Sequence, residues 1–172
     1  YIKMISITLP DGSIRAFAPG TTPMEVAKNI SEGFARNVIS ASFEGTTIET
    51  STPLTTDGSM ILYTWNDAEG KKAFWHSTSH VMAQVLEEMF PGIQLTLGPA
   101  IANGFYYDVD FGDQKITEAD FKAIESRILE ISKEKHEFKM RAVTKAEALE
   151  TYKDNVYKTE LISNLEDGTI TF

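Results

Sequence analysis

Residues 74–90, FWHSTSHVMAQVLEEMF, constrain the fold most, because their apolar residues recur at the spacing of an amphipathic helix. At about 100° per residue, the large apolar side chains share one side. They are Phe74, Trp75, Val81, Met82, Val85, Leu86, Met89 and Phe90. His76 and His80 fall on the other side, with Ala83 and Glu87, and an i, i+4 pair lies about 5–6 Å apart at Cβ. We therefore expect two neighbouring imidazoles that project away from the buried side.

Spacing alone leaves three interpretations of this histidine pair open. The pair is a polar helix face, or it is part of a zinc site that needs a third ligand. Alternatively, it performs acid–base or substrate-positioning work near neutral pH. The zinc-protease motif H-E-x-x-H is excluded, because Ser77 rather than Glu follows His76.

The length of 172 residues suits one ordinary domain or two small ones. Because 42% of the residues are hydrophobic, the chain can form a buried core. It has 25 acidic and 16 basic residues and a formal net charge of −9. That balance argues against a sequence-blind phosphate clamp, although a local basic patch or a small-molecule pocket stays compatible with it. The absence of cysteine excludes disulfides and Cys-based zinc ribbons, and it is consistent with an intracellular protein. We find no membrane-span pattern and no signal peptide.

The first part of the chain, residues 4–64, reads as β-β-α-β-β-β. Strands are predicted at 4–9, 14–17, 38–43, 46–48 and 60–63, with turn residues between them. One helix begins at Pro23, with Thr22 as its N-cap, and is expected to end near Gly33. This order predicts a small β-grasp (ubiquitin-like) domain, whose role we expect to be packing or partner contact.

The second part follows a boundary at residues 66–70. We expect a strand at 93–97, a hairpin at Asn103-Gly104, and a strand at 105–111 that places Tyr107 on its apolar face. A capped helix at 117–135 carries Phe121, Ile124, Ile128 and Ile131 on one side. A strand at 138–143, helices at 144–152 and 156–162, and the start of a strand at 169–172 complete the prediction. That last strand has no visible partner, so we expect a truncated chain of α+β class.

Three strings in this chain carry a family resemblance: ITLPDGS at 7–13, HSTSH at 76–80 and GPAIANGFYYDVDF at 98–111. Together, in this order and spacing, they resemble the N-terminal region of bacterial-type threonyl-tRNA synthetases across essentially the whole chain. The first string alone is weak, because its β-grasp module, called TGS, also occurs in stringent-response enzymes and some GTPases. The third string, joined to the histidine pair, is specific.

The resemblance implies a TGS domain at 1–64 and an α+β editing domain with an antiparallel sheet at 65–172. In this family the editing domain hydrolyses seryl-tRNA made in error, and its site adds a Cys and a His from a C-x-x-x-H string beyond the point matched by Phe172. The synthetic domain, with its ATP, magnesium and zinc, and the anticodon-binding domain are also absent here. The chain therefore cannot aminoacylate and is at most a deacylase with an incomplete site.

The resemblance also implies partners and site residues. The partners are the 3′ end of tRNA(Thr) and the absent domains of the same polypeptide, in a cytoplasmic homodimer that involves no membrane. His76 and His80 would orient or deprotonate water or hold the terminal ribose. Lys158 would supply positive charge, and Tyr107 would hydrogen-bond the substrate. Free-standing alanine-editing proteins bind zinc with a similar pair plus Cys and His ligands, so zinc is an option for the pair. Those later ligands are not in this chain, and we therefore expect no cofactor and no metal in it.

Editing has a physical reason. Serine is threonine without a methyl group, and a pocket gains only about 1–3 kcal/mol from such a difference, so a second sieve is needed. Three other readings stay open: a non-catalytic tRNA-docking or regulatory module, a free-standing zinc-dependent deacylase, and a stringent-response nucleotide enzyme. The last would need a His-Asp metal pair, and the chain has no His-Asp dipeptide.

Overall fold

The computed structural model describes residues 3–172 and divides into two compact units, the first ending at Trp75 and the second beginning at His76. The strands are β1 Ile5–Thr8, β2 Ile14–Phe17, β3 Val38–Phe43, β4 Thr46–Ile48, β5 Gly58–Thr64, β6 Gln94–Leu95, β7 Ala100–Ile101, β8 Gly104–Phe105 and β9 Val109–Asp110. The helices are α1 Pro23–Ile30, α2 Glu32–Ala35, α3 Ala68–Met89, α4 Glu118–Glu134, α5 Lys145–Thr151 and α6 Val156–Ser163. The α+β class predicted from the sequence is confirmed.

The first unit is built on a five-stranded sheet in the order β2-β1-β5-β3-β4. Strands β1 and β5 run parallel, and the other neighbouring pairs run antiparallel. This mixed order, with α1 on the chain between two hairpins, is the predicted β-grasp. The turn between β3 and β4 has positive φ at both Glu44 and Gly45, the geometry of a type I′ hairpin turn.

The core of the first unit forms because alternate strand residues point inward. Ile5 and Ile7 of β1 and Met60 of β5 are almost fully buried and pack against Val26 of α1. Thr22 and Glu25 form a capping box at the start of α1, as the sequence predicts. The single predicted helix is in fact two, because Ser31 ends α1 in an extended conformation and its side chain caps α2.

The second unit buries the predicted apolar side of α3 against α4. Its core contains Val85, Leu86 and Phe90 together with Ile124 and Ile131. Thr117 and Asp120 form the predicted capping box of α4.

Three positions depart from the predicted helix faces. Phe74 of α3 and Phe121 of α4 were assigned to apolar sides, but their side chains are 42% and 50% exposed. Ala83, assigned to the histidine side of α3, is buried. Helix α3 also begins at Ala68, several residues before the segment predicted from periodicity.

The predicted strand at 105–111 is wrong as a continuous ladder. A hairpin does join β7 to β8 there, but its two turn residues are Ala102 and Asn103, and Gly104 is already the first residue of β8. Strand β9 pairs with β6 in a separate two-stranded sheet. The alternation of burial is nevertheless as expected, since Tyr107 is partly buried between exposed Tyr106 and Asp108.

The last two predicted strands are also shorter than expected. The predicted strand at 138–143 is reduced to an isolated bridge between Ala142 and Thr171. Residues 169–172, for which the sequence shows no pairing partner, therefore pair with the segment before α5. Next to the bridge, Arg141 and Phe172 exchange two backbone hydrogen bonds. No helix in the described part of the chain has the length and hydrophobicity needed to cross a membrane.

Candidate functional site

His76 and His80 lie side by side on one turn of α3, as the i, i+4 spacing predicts. Their Nε2 atoms are 3.1 Å apart, their ring centroids 4.6 Å apart, and their planes are nearly perpendicular. Both side chains lie on an exposed part of the helix. Ser79 lies on the same helical turn, and its buried hydroxyl donates a hydrogen bond to the His76 backbone carbonyl at 2.7 Å.

The Nε2–Nε2 contact restricts the hydrogens of the pair. When both rings are neutral, one Nε2 carries the hydrogen and the other accepts it, so the two histidines adopt different tautomers. The pKa of His80 is lowered from its ordinary value, first by desolvation and then by the nearby His76 and Lys158. His80 is therefore neutral at pH 7 and able to accept a proton.

Lys158 reaches the histidine pair from α6. Its Nζ lies 4.9 Å from the centre of the Tyr152 ring, a cation–π contact, and it is near enough to His80 to act on that imidazole electrostatically. Burial lowers the pKa of Lys158, and the Glu87 carboxylate partly opposes this by raising it. Together these contacts place a partly desolvated cation next to a neutral imidazole.

Asn155 positions the helix that carries Lys158. Its side-chain carbonyl accepts from the Lys158 backbone N–H at 2.9 Å, which caps α6. Its side-chain NH₂ donates to the Leu95 carbonyl at 2.9 Å, which ties the cap to β6. The adjacent Val156 N–H donates to the Gln94 side chain at 3.2 Å.

Tyr107 is partly buried, and its ring rests on the backbone of Gly98. A Cβ at Gly98 would collide with the ring carbons of Tyr107, so only glycine permits this approach. Burial raises the pKa of the Tyr107 hydroxyl, and the charge of Glu87 and the nearby Tyr152 raise it further. The hydroxyl therefore keeps its hydrogen at neutral pH and can donate it.

Two members of the cluster were not predicted as site residues. Glu87 acts electrostatically on Tyr107, Tyr152 and Lys158, so it lies among all three. The helical spacing had placed Glu87 in line with His80, a signal that could have identified it. Tyr152 had no such signal, because it ends α5 and reaches Lys158 only through the tertiary fold.

Each unit has a surface cavity among its described residues. One, of about 400 Å³, opens beside Tyr107 in the second unit and is lined by Thr96, Tyr107, Asp108, Val109, Asp110 and Tyr157. The other, of about 240 Å³, lies in the first unit and is lined by Leu9, Pro10, Asp11, Arg15, Ile30 and Leu62. Only the first cavity is lined by a predicted site residue.

The donor set around the histidine pair does not suit zinc. Residues 3–172 contain no group of three or more His, Cys, Asp or Glu side chains placed to hold a metal ion. A structural or catalytic zinc needs at least three protein ligands. We therefore derive no chemical step through a metal.

Comparison with known proteins gives one family match and many relatives. A family model described as "TGS domain" matches residues 5–61. The chain is 86% identical over 169 residues to a threonine–tRNA ligase of Flavobacterium johnsoniae and 80% identical to that of Flavobacterium psychrophilum. It is 51% identical to the threonine–tRNA ligase of Parabacteroides distasonis. Each match covers 98% of this chain and 26% of the relative, so the chain spans about a quarter of the length of these proteins.

Proposed function

From the premise that this chain corresponds to the N-terminal region of the bacterial threonyl-tRNA synthetases, we propose that its second unit carries post-transfer editing. The reaction is hydrolysis of the ester that joins serine to the 3′-terminal ribose of tRNA(Thr). The observation that carries the proposal is that His76 contacts His80 and that the Lys158 ammonium lies near His80. Glu87 and Tyr152, which neighbour Lys158, also neighbour Tyr107, so residues far apart in sequence come together around the pair.

Neutral His80 suits proton transfer from water. His80 takes a proton from a water molecule whose oxygen forms a bond to the ester carbonyl carbon. The carbon–oxygen bond to the ribose then breaks, and the ribose oxygen leaves with a proton returned by the imidazole. The products are free serine and tRNA without an amino acid, and water is the only co-reactant that the reaction needs.

Lys158, Tyr107 and His76 suit the negative charge that develops on the ester carbonyl oxygen during this step. The Lys158 ammonium supplies positive charge toward the oxyanion that forms on the ester carbonyl, in an environment where desolvation strengthens the attraction. The Tyr107 hydroxyl, which stays protonated, donates a hydrogen bond to the substrate. His76 fixes the tautomer of His80 through their shared hydrogen bond.

We propose the activity of the whole polypeptide from the names of its relatives. It attaches threonine to tRNA(Thr) with ATP in the cytoplasm, as a homodimer, and its ATP, magnesium and zinc sites lie in domains outside this chain. The editing site described above then removes serine that the synthetic site accepts, since the missing methyl group limits discrimination to about 10–200-fold.

The test uses the full-length natural polypeptide that contains this chain. We expect it to deacylate Ser-tRNA(Thr) and to spare Thr-tRNA(Thr), and we expect the double variant His76→Ala, His80→Ala to lose the deacylation while it still binds tRNA. Undiminished hydrolysis in the double variant would overturn the assigned role. Binding of tRNA with no hydrolysis by the wild type would instead favour a docking module.

A further inference from the structure

Phe138 places an exposed aromatic ring beside the histidine pair. Its ring centroid is 6.3 Å from that of His80, with the two planes tilted by 55°. The side chain is 52% exposed and lies between α4 and α5, in a segment without helix or strand. It therefore borders the histidine pair from a segment other than α3 and α6.

Core packing does not account for this position. The two buried clusters of the second unit are formed by other side chains, and Phe138 is not among the residues packed against them. Exposing half of a phenyl ring forgoes part of the free energy that its burial would give. A flat apolar face that is left open next to reactive groups is suited to stacking a planar ligand.

We propose that Phe138 is the platform on which the 3′-terminal base of the tRNA substrate stacks. This inference rests on the proposed function and deepens it. The scissile ester is on the terminal ribose and must lie within reach of His80. The base is bonded directly to the same ribose, so it occupies the space next to that imidazole, where the Phe138 ring lies.

The other aromatic rings of the cluster are less suitable. Tyr152 already packs against the Lys158 ammonium on the one hand and against the Phe172 ring, 5.4 Å away, on the other. The Tyr107 ring rests on Gly98 and is partly buried. Phe138 is thus the ring near the pair whose face is most open to a ligand.

Stacking of a base on an aromatic ring predicts a defined kinetic signature. Loss of the ring weakens binding of base-containing substrates by about 5- to 150-fold, because each base–aromatic stack contributes about 1–3 kcal/mol. The chemical step at the ester is unaffected. KM for the ester therefore rises, whereas kcat changes little.

The experiment compares Phe138→Leu and Phe138→Tyr with the wild type in the full-length polypeptide. The matched control is Phe121→Leu, which removes an equally exposed phenylalanine from α4. Two substrates are used: 3′-O-seryl-adenosine and the same seryl ester on a ribose that lacks a base. We expect Phe138→Leu to raise KM for the first by about 5- to 150-fold and to leave the second unchanged. Phe138→Tyr and Phe121→Leu should match the wild type.

Binding of an inert analogue, with an amide in place of the seryl ester of adenosine, separates this inference from the proposed function. Calorimetry should show the same weakening in Phe138→Leu, even if no variant hydrolyses the ester. Equal losses on the base-containing and base-free substrates, or unchanged affinity for the inert analogue, would overturn the stacking role. Failure of the wild type to hydrolyse either ester, with the analogue still bound through Phe138, would overturn only the proposed reaction.

Discussion

The Nε2 atoms of His76 and His80 lie 3.1 Å apart, so the two imidazoles share one hydrogen and act as a unit. Because one Nε2 donates and the other accepts, the tautomer of one ring fixes the tautomer of the other. It also makes both rings necessary for a single proton-transfer step, which gives the first prediction.

We expect His76→Ala and His80→Ala each to lower kcat for Ser-tRNA(Thr) hydrolysis by about 10²- to 10⁴-fold. Because the rings act together, the double variant should lose little more than the worse single variant. Quench-flow measurement of serine release gives these rates. His136→Ala is the control, since His136 is an exposed histidine bonded to Glu134, and a strictly additive double variant would show that the rings work separately.

The lowered pKa of His80 predicts how hydrolysis and stability depend on pH. Hydrolysis that needs neutral His80 should rise with pH through a value below 6.5 and stay level until Lys158 loses its proton at higher pH. Between the folded and unfolded pKa values the unfolded chain binds more protons, so His80 contributes a loss of folding stability as pH falls through that window. NMR titration of the imidazole signals measures the pKa directly, and a value for His80 at or above 6.5 would contradict this prediction.

Glu87→Gln should lower the pKa of Lys158 further, because the carboxylate that favours its charged form is removed. The alkaline limb of the hydrolysis pH profile should then move to lower pH. Glu125→Gln is the matched control, because Glu125 is an exposed glutamate on α4. If both variants give the same alkaline limb as the wild type, Glu87 does not act on Lys158.

Gly98→Ala should displace the Tyr107 ring, because the added Cβ would collide with it. We expect a loss of about 1–3 kcal/mol in the free energy of unfolding, measured by urea titration, together with slower hydrolysis. Gly33→Ala is the control, since its Cβ meets no neighbour within 4 Å and its φ is not positive. That substitution in α2 should be neutral or stabilising by up to about 1 kcal/mol. Equal stability of the two variants would show that Tyr107 is not held by this contact.

Local signals in the sequence predicted the elements that local physics determines. The Thr117 capping box, the hairpin around Asn103 and the apolar side of α3 all depend on residues within a few positions of each other. The strand at 105–111 failed because its two ends pair with different strands, the first with the adjacent β7 and the second with β6, in separate sheets. Alternation along one segment records burial but carries no information on its partner.

The residues of the candidate site also separate into those that are neighbours in the sequence and those that the fold brings together. His76 and His80 could be paired from the sequence, because one helical turn brings them together. Tyr152 and Phe138 could not be assigned to them, since each reaches the cluster through the packing of α5, α6 and the segment after α4. Short-range periodicity therefore pairs the two histidines but does not identify the side chains that pack around them.

Asn155 joins two functions in one side-chain amide, which begins α6 at its oxygen and anchors it to β6 at its nitrogen. A change at this amide would shift the Lys158 ammonium without altering any group that meets the substrate. The position of the lysine relative to His80 is therefore set by a side chain outside the cluster itself, and both ends of one amide must stay bonded to keep it there.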